Sequence, residues 1–335
     1  MLFRSRRLRP IAAIAAAVAT LLQGLPAAAP AVSVTDFRQS AIYHSPEKPG
    51  YTAWCTLWRG RDARLRVAFQ QVTGPVKNPQ QRTNVTVILQ SPDNAATWTV
   101  QRTVPARRNL AASTNGIYAA PADSSFCGHG LAALPDGTLV TGLWAGGGID
   151  TGYIQRSLDD GLTWSDPIFV LDPGRFQVWP TVLRPLHTGH LILFAGIWER
   201  EPDRLPNPKI VKAMFQSEDG GRTWSAPTIV MPPAVGVCEE SDFAELDSGD
   251  LLFVHRTEHF DGEKYLGSDR WQGLVRRAGR NWEVPAPSKA PFPHSGFPVL
   301  LKTKAGLVLH IATDGIWWTA DARSEEHTSE LQSHL

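Results

Sequence analysis

An eight-residue phrase is written twice in full in this chain, SLDDGLTW from Ser157 to Trp164 and SEDGGRTW from Ser217 to Trp224. A weaker copy, SPDNAATW, runs from Ser91 to Trp98, a worn one, RRAGRNW, ends at Trp282, and another opens as Thr319-Ala320-Asp321. Repetition at this interval means one structural unit used several times over. Within the phrase, Ser and Asp can close a tight turn on backbone groups, and Gly161 or Gly221 supplies a positive φ at little steric cost. The tryptophan then enters a strand and lays its ring over the hairpin. Carboxylates held inside such a turn are badly placed to serve a substrate, so the phrase is structural.

Each copy follows two apolar runs around a turn: CTLWRGRDARLRVAF, GLAALPDGTLVTGLW, TVLRPLHTGHLILFAG, DFAELDSGDLLFVHR and PVLLKTKAGLVLHIA. Each run predicts strand, two-residue turn, strand, with a third strand leading into the phrase. The turns fall at Asp62-Ala63, Asp136-Gly137, Thr188-Gly189, Ser248-Gly249 and Ala305-Gly306, good hairpin dipeptides where glycine is second. Their spacing fits a four-stranded sheet plus loops of varying length. No stretch keeps a helical period, and nothing reads as a linker to a second domain.

The two ends differ from this body. Four arginines, Arg4, Arg6, Arg7 and Arg9, precede an apolar run from Ile11 to Leu25 and the small residues Ala29-Pro30-Ala31. That order predicts a secretory signal peptide over 1–33, cleaved after Ala31 or Ser33, and hence a secreted or periplasmic protein. At the other end, Arg323 to His334 back-translates to a short-read sequencing adapter. Residues 323–335 are therefore expected to be an artefact that interrupts the last copy of the phrase, leaving 34–322 as the folded body.

With 33 basic and 32 acidic residues the chain gives no reason to expect nucleic acid or an anionic membrane as partner. Its 12 tryptophans can fill a large core. Cys55, Cys127 and Cys238 make no disulfide framework: one bridge with a spare is open, three buried thiols is the preferred reading, and no metal-ligand spacing is present.

The phrase is identified as the Asp-box, and the chain resembles the Asp-box propellers, above all the sialidase (neuraminidase) superfamily. The resemblance implies an all-β, six-bladed β-propeller of four-stranded antiparallel blades, with five blades present and the sixth lost beyond Ala322. In such a fold the starts of the innermost strands line one mouth of a central channel. Here those starts are Tyr51 to Trp54, Cys127 to His129, Gln177 to Trp179, Glu239 to Asp242, and His294 to Ser295.

The segment EESDFAELDSGDLLFVHR resembles the fourth-blade segment of sialidases. On that register Glu240 takes the place of the glutamate that assists a tyrosine nucleophile, Glu245 is the next acid, and Arg256 is one of three arginines that hold the sugar's carboxylate. A planar guanidinium suits that task because it makes paired bonds to a carboxylate. Elsewhere the sequence departs from the pattern. Thr52 stands at the first-blade arginine, and no acidic residue lies between Gln71 and Gln90, where the resemblance places an aspartate acid/base. Asp150, or the pair His129 and His294, could supply acid/base chemistry instead. Asp242, Trp54, Trp179 and Trp198 are the candidate substrate contacts.

The implied activity is an exo-glycosidase removing a terminal acidic sugar, sialic acid by resemblance, without cofactor or metal and as a monomer. Two alternatives stay open: a non-catalytic propeller that binds glycan or protein, and a polysaccharide lyase in which His129 or His294 abstracts a proton beside a uronic acid carboxylate held by Arg256.

Overall fold

The computed structural model describes residues 40–46, 50–75, 83–105, 111–112, 118–119, 130–143, 151–199, 211–232, 237–261, 264–290, 297–312, 315–319 and 326–327. The chain divides between Phe37 and Arg38, and every described residue lies in the second unit.

Blade 1 is β1 (Gly50–Arg59), β2 (Leu65–Thr73), β3 (Thr83–Ser91) and β4 (Thr99–Pro105). A short hairpin, β5 (Ala111–Ala112) and β6 (Tyr118–Ala119), precedes blade 2: β7 (Leu131–Ala133), β8 (Leu139–Leu143) and β9 (Tyr153–Ser157). Blade 3 is β10 (Phe176–Pro185), β11 (Leu191–Glu199), β12 (Val211–Ser217) and β13 (Thr228–Met231). Blade 4 is β14 (Val237–Glu245), β15 (Leu251–Asp261), β16 (Lys264–Ala278) and β17 (Asn281–Glu283), with β18 (Ser288–Lys289) also paired to β16. Blade 5 is β19 (Val299–Lys302), β20 (Val308–Ala312), β21 (Gly315–Thr319) and β22 (Glu326–His327). Apart from β16–β18, all pairings join neighbours in chain order, and all are antiparallel, so the fold is an all-β propeller. The described residues form five blades, the number expected to be present in this sequence, and the sixth rests on the resemblance alone.

The expected hairpin positions hold, but each loop has three residues where two were anticipated. Leu134 N bonds to Thr138 O and Gly137 N to Leu134 O, both at 2.8 Å, and the same pair of bonds closes the other four loops. A loop of this kind needs its third residue in the left-handed region. Gly137, Gly189, Gly249 and Gly306 take φ of 79, 82, 82 and 86°, and Ala63 in blade 1 takes 61° without being glycine.

Apolar side chains collect in the spaces between blades. Trp58, Ala68 and Ile88 meet Leu139, Tyr153 and Trp164 between blades 1 and 2. Val178, Leu193 and Phe215 meet Val140 and Ile154 between blades 2 and 3. Phe194 and Met214 meet Phe243 and Phe253 between blades 3 and 4, and Ala244 and Val254 meet Leu300 and Val308 between blades 4 and 5. Strands such as β11, apolar on both faces and buried from Leu191 to Ile197, are the consequence of having a blade on either side.

The Asp-boxes form as the sequence requires. In the second, Ser157 Oγ donates to Asp159 Oδ1 at 2.8 Å and accepts from Gly161 N at 2.8 Å, while Asp159 accepts from Thr163 N at 2.8 Å and from Thr163 Oγ1 at 2.5 Å. The boxes at Ser91 and Ser217 repeat this pattern. They also tie blades together: Arg66 of blade 1 meets Asp160 at 2.8 Å, and Arg156 of blade 2 donates to Gly220 O at 2.8 Å. The worn fourth copy has become a tight β16–β17 turn with Gly279 at φ 66°.

In the first box Ala95 stands where the others have glycine, and it is held at φ 74°. The left-handed region costs a residue with a Cβ roughly 1–2 kcal/mol, part of which glycine forfeits through a freer unfolded chain. Ala95→Gly is therefore expected to stabilise the protein by about 0.5–1 kcal/mol, read as a higher midpoint in denaturant unfolding. An unchanged or lower midpoint would show that the box relaxes around alanine.

One expectation about cysteine is corrected. Cys55 is exposed and free, and Leu57 and Arg59, two and four residues further along β1, are exposed as well. Cys127 lies outside the described residues, as does the side chain of Cys238.

Candidate functional site

Glu240 and Arg256 come together at the channel end where the innermost strands begin. β14 pairs with β15, and a bulge between Cys238 and Ser241 sets Glu240 beside Arg256. Arg256 Nη1 donates to Glu240 Oε2 at 2.5 Å, and Nη2 donates to Glu258 Oε1. Glu258 is two residues further along β15, hence on the same face of the strand. That face also carries Leu252 and Val254, which pack toward blade 5. Burial works against the Arg256 charge, but the carboxylates of Glu258 and Glu240 outweigh it and hold the guanidinium above its ordinary value. About a quarter of the Arg256 and Glu240 side chains stays open to solvent, 24% and 28%.

A guanidinium has five N–H donors, and these two contacts engage two of them. The cluster is therefore a cation fixed in orientation with donors to spare, flanked by two carboxylates.

Asp242 has a different place. It is buried, 2% exposed, and its Oδ2 accepts from Arg184 Nη2 at 2.5 Å and from Leu300 N at 2.8 Å, while Oδ1 accepts from Phe243 N at 2.8 Å. Arg184 Nη1 in turn donates to Leu300 O at 2.9 Å. The carboxylate joins β10, β14 and β19, three innermost strands of three blades, and is not offered to a ligand at the mouth. Burial pushes it up to about 6, against the pull of Arg184 and the backbone donors.

Glu245 stands at the other end of β14, about 16 Å from Glu240 by strand rise. There it accepts from His187 N at 2.7 Å and meets the His187 ring.

Trp179 and Trp198 are half-buried near the mouth end of blade 3. Trp54 lies in β1, with its side chain outside the described residues. Asp150, His129 and His294 lie outside the described residues altogether. Among the described residues no group of three or more His, Cys, Asp or Glu side chains is arranged to hold a metal ion.

Glu258 shares a side with Arg256 because residues two apart on one strand share a face. One feature escaped the sequence reading. A buried layer between blades 3 and 4 carried no local signal. There Lys212 Nζ donates to Thr181 Oγ1 at 3.3 Å, Thr181 meets Ser241 at 2.7 Å, and His255 is buried beside them. Burial first, and Lys212 second, depress His255 well below its ordinary value, so the ring is neutral.

A cavity of about 570 Å³ opens at the opposite end of the channel, among the hairpin loops of blades 1 to 3. Its polar groups are largely engaged within the protein: Arg59 with Ala63 O and Asn94, Asp136 with Thr138 N, and His187 N with Glu245. The chemistry favours the Glu240 end.

No family model matches the sequence, nor does any curated protein. Solved structures do. A protein of unknown function from Dyadobacter fermentans is 18% identical, covering 85% of this chain and 84% of that one with a TM-score of 0.55. An α-L-arabinanase from Penicillium chrysogenum, solved with arabinobiose, is 14% identical over 81% of this chain and 78% of that one, TM-score 0.53. A Hadza microbial sialidase is 19% identical over 81% of this chain and 57% of that one, TM-score 0.49. Identities this low establish the shared propeller fold and assign no family. The chain is thus an all-β propeller of a kind that carries carbohydrate-active enzymes.

Proposed function

We propose that the protein is a secreted or periplasmic glycoside hydrolase that releases a terminal acidic sugar, sialic acid by the resemblance of its fourth blade, as a monomer and without a cofactor. The observation that carries this reading is Arg256, oriented by Glu240 and Glu258, with N–H donors to spare and about a quarter of its side chain open to solvent. A sugar carboxylate can accept from those donors in the paired geometry that lysine cannot offer. Glu240, at hydrogen-bonding distance from that cation and partly open, is placed to handle the proton of the attacking or departing group.

The test is release of sialic acid from sialyllactose by the wild type and by Arg256→Lys. A lysine cannot bridge both carboxylates and meet the substrate as a fork, so kcat/KM is expected to fall about 10–100-fold, corresponding to about 1.5–3 kcal/mol for lost charged hydrogen bonds. Wild-type protein that releases no acidic sugar from any sialoside or uronic polymer would sink the hydrolase reading.

One observation favours a second reading, a glycan-binding propeller without turnover: Thr52 occupies the place of the first-blade arginine. Under it, acidic sugars bind but are recovered intact, and Arg256→Lys weakens binding alone.

A further inference from the structure

Blades 3 and 4 face each other across a second set of groups at the mouth, distinct from the Arg256 cluster, which faces blade 5. Phe194 of β11 meets the rings of Phe243, Phe253 and His255 across this boundary, with centroids 4.9, 6.1 and 5.9 Å apart. Side chains alternate along a strand, so Gly196 and Trp198 follow Phe194 on the face toward blade 4, and Thr257 and His259 follow His255 on the face toward blade 3. Register completes both walls. Trp179 lies opposite Gly196, and Asp269 lies opposite Thr257. The Thr181–Ser241 hydrogen bond and the Phe194–His255 contact join the two blades, and Trp198 and His259 each stand four residues further along their strands than that contact.

The blade 4 wall is pre-set. His259 Nε2 lies 3.0 Å from Asp269 Oδ2, and Lys289 Nζ lies 2.9 Å from Asp269 Oδ1. Lys289, more than His259, holds the Asp269 carboxyl below its ordinary value against burial, so it is an anion that only accepts. Nε2 must therefore carry a proton, and Nδ1 is the ring nitrogen left to meet a ligand. His259 is 37% exposed in its side chain, enough to be reached from solvent.

An indole wall facing an oriented imidazole suits a sugar ring. The apolar face of the sugar lies on Trp198, and its hydroxyls meet Nδ1 of His259 and the outer edge of Asp269. Lys289 and Asp269 neutralise each other at the rim of this cleft, which suits a neutral ligand. We infer that the cleft between blades 3 and 4 is a subsite for a neutral sugar residue, and that it holds the part of the glycan next to the terminal sugar. The second half of that statement rests on the hydrolase reading above, while the first stands without it.

The experiment is saturation-transfer NMR and calorimetric titration of the full chain with two kinds of probe. One is the methyl glycoside of sialic acid, and the other is a panel of neutral disaccharides: lactose, cellobiose, maltose and arabinobiose. At least one neutral disaccharide is expected to bind. Trp198→Ala should weaken it about tenfold and His259→Ala about three- to tenfold, while Arg256→Lys leaves it unchanged. The acidic monosaccharide should respond in the opposite pattern. Trp198→Leu, which keeps apolar bulk but loses the flat aromatic face, guards against a variant that merely unsettles the blade, and it should lose the neutral sugar as well.

A neutral panel that binds nowhere, or binds equally to the Trp198 and His259 variants, overturns the subsite. If the neutral sugar binds as described and the acidic one does not bind at all, the subsite stands and the acidic-sugar reading of the Arg256 cluster falls.

Discussion

Glu240→Gln is expected to lower the rate of sugar release by about 10²–10⁴-fold, the usual contribution of a positioned acid or base, while ligand affinity stays within a few-fold of wild type. The substitution keeps shape and keeps an acceptor for Arg256 Nη1, whose bond to Glu240 is 2.5 Å. What glutamine cannot do is take up or give a proton. Arg256 also keeps Glu258, so the cation stays anchored on one side. Single-turnover release from an aryl sialoside, with affinity measured separately, reads the two effects apart. Equal losses in affinity and rate would mean that Glu240 only orients Arg256. Unchanged turnover would move the acid/base role elsewhere on the mouth, with Glu258 first in line because it shares the same guanidinium.

How much of this was legible depends on how far apart the partners sit in the chain. The Asp-boxes were readable because every bond within a box spans at most four residues, as from Ser157 to Gly161. The hairpins were readable for the same reason, although the three-residue loops show that a glycine marks the left-handed position and not the loop length. Glu240 and Arg256 are sixteen residues apart, close enough for one hairpin to fix both, and the motif was visible as a segment. Asp242 was misjudged from the same segment, since its partners Arg184 and Leu300 are each fifty-eight residues away in other blades. A strand sequence says which face a carboxylate shares with its neighbours, but not which blade lies against that face. The five blades were legible because each inner hairpin is written within a single segment, whereas the sixth was supplied by likeness alone.

The joint at Asp242 is where the largest loss of stability is expected. Asp242→Ala leaves the Arg184 guanidinium without its carboxylate and removes the acceptor of Leu300 N and Phe243 N in one step. Breaking a buried pair by removing one partner costs about 3–5 kcal/mol. The low end, about 3 kcal/mol, is expected because 35% of the Arg184 side chain is exposed and can turn toward water. The same carboxylate also has a pH signature. Burial raises it from 3.8 to about 6 in the folded state, so the folded protein holds that proton more tightly than the unfolded chain. Its contribution to stability is therefore complete below about pH 4 and lost as pH rises through about 6. Asp242→Asn does not titrate, so relative to this variant the wild type should lose on the order of a few kcal/mol between pH 4 and 7. Comparing the two proteins cancels the buried His255 and the box aspartates, whose contributions run the other way and fade as pH falls. Urea unfolding of both proteins across that range gives the answer. A wild type that gains on the variant as pH rises would mean that Arg184 outweighs burial, and that the three blades are joined by a strong ion pair in place of a weak one held in by the fold.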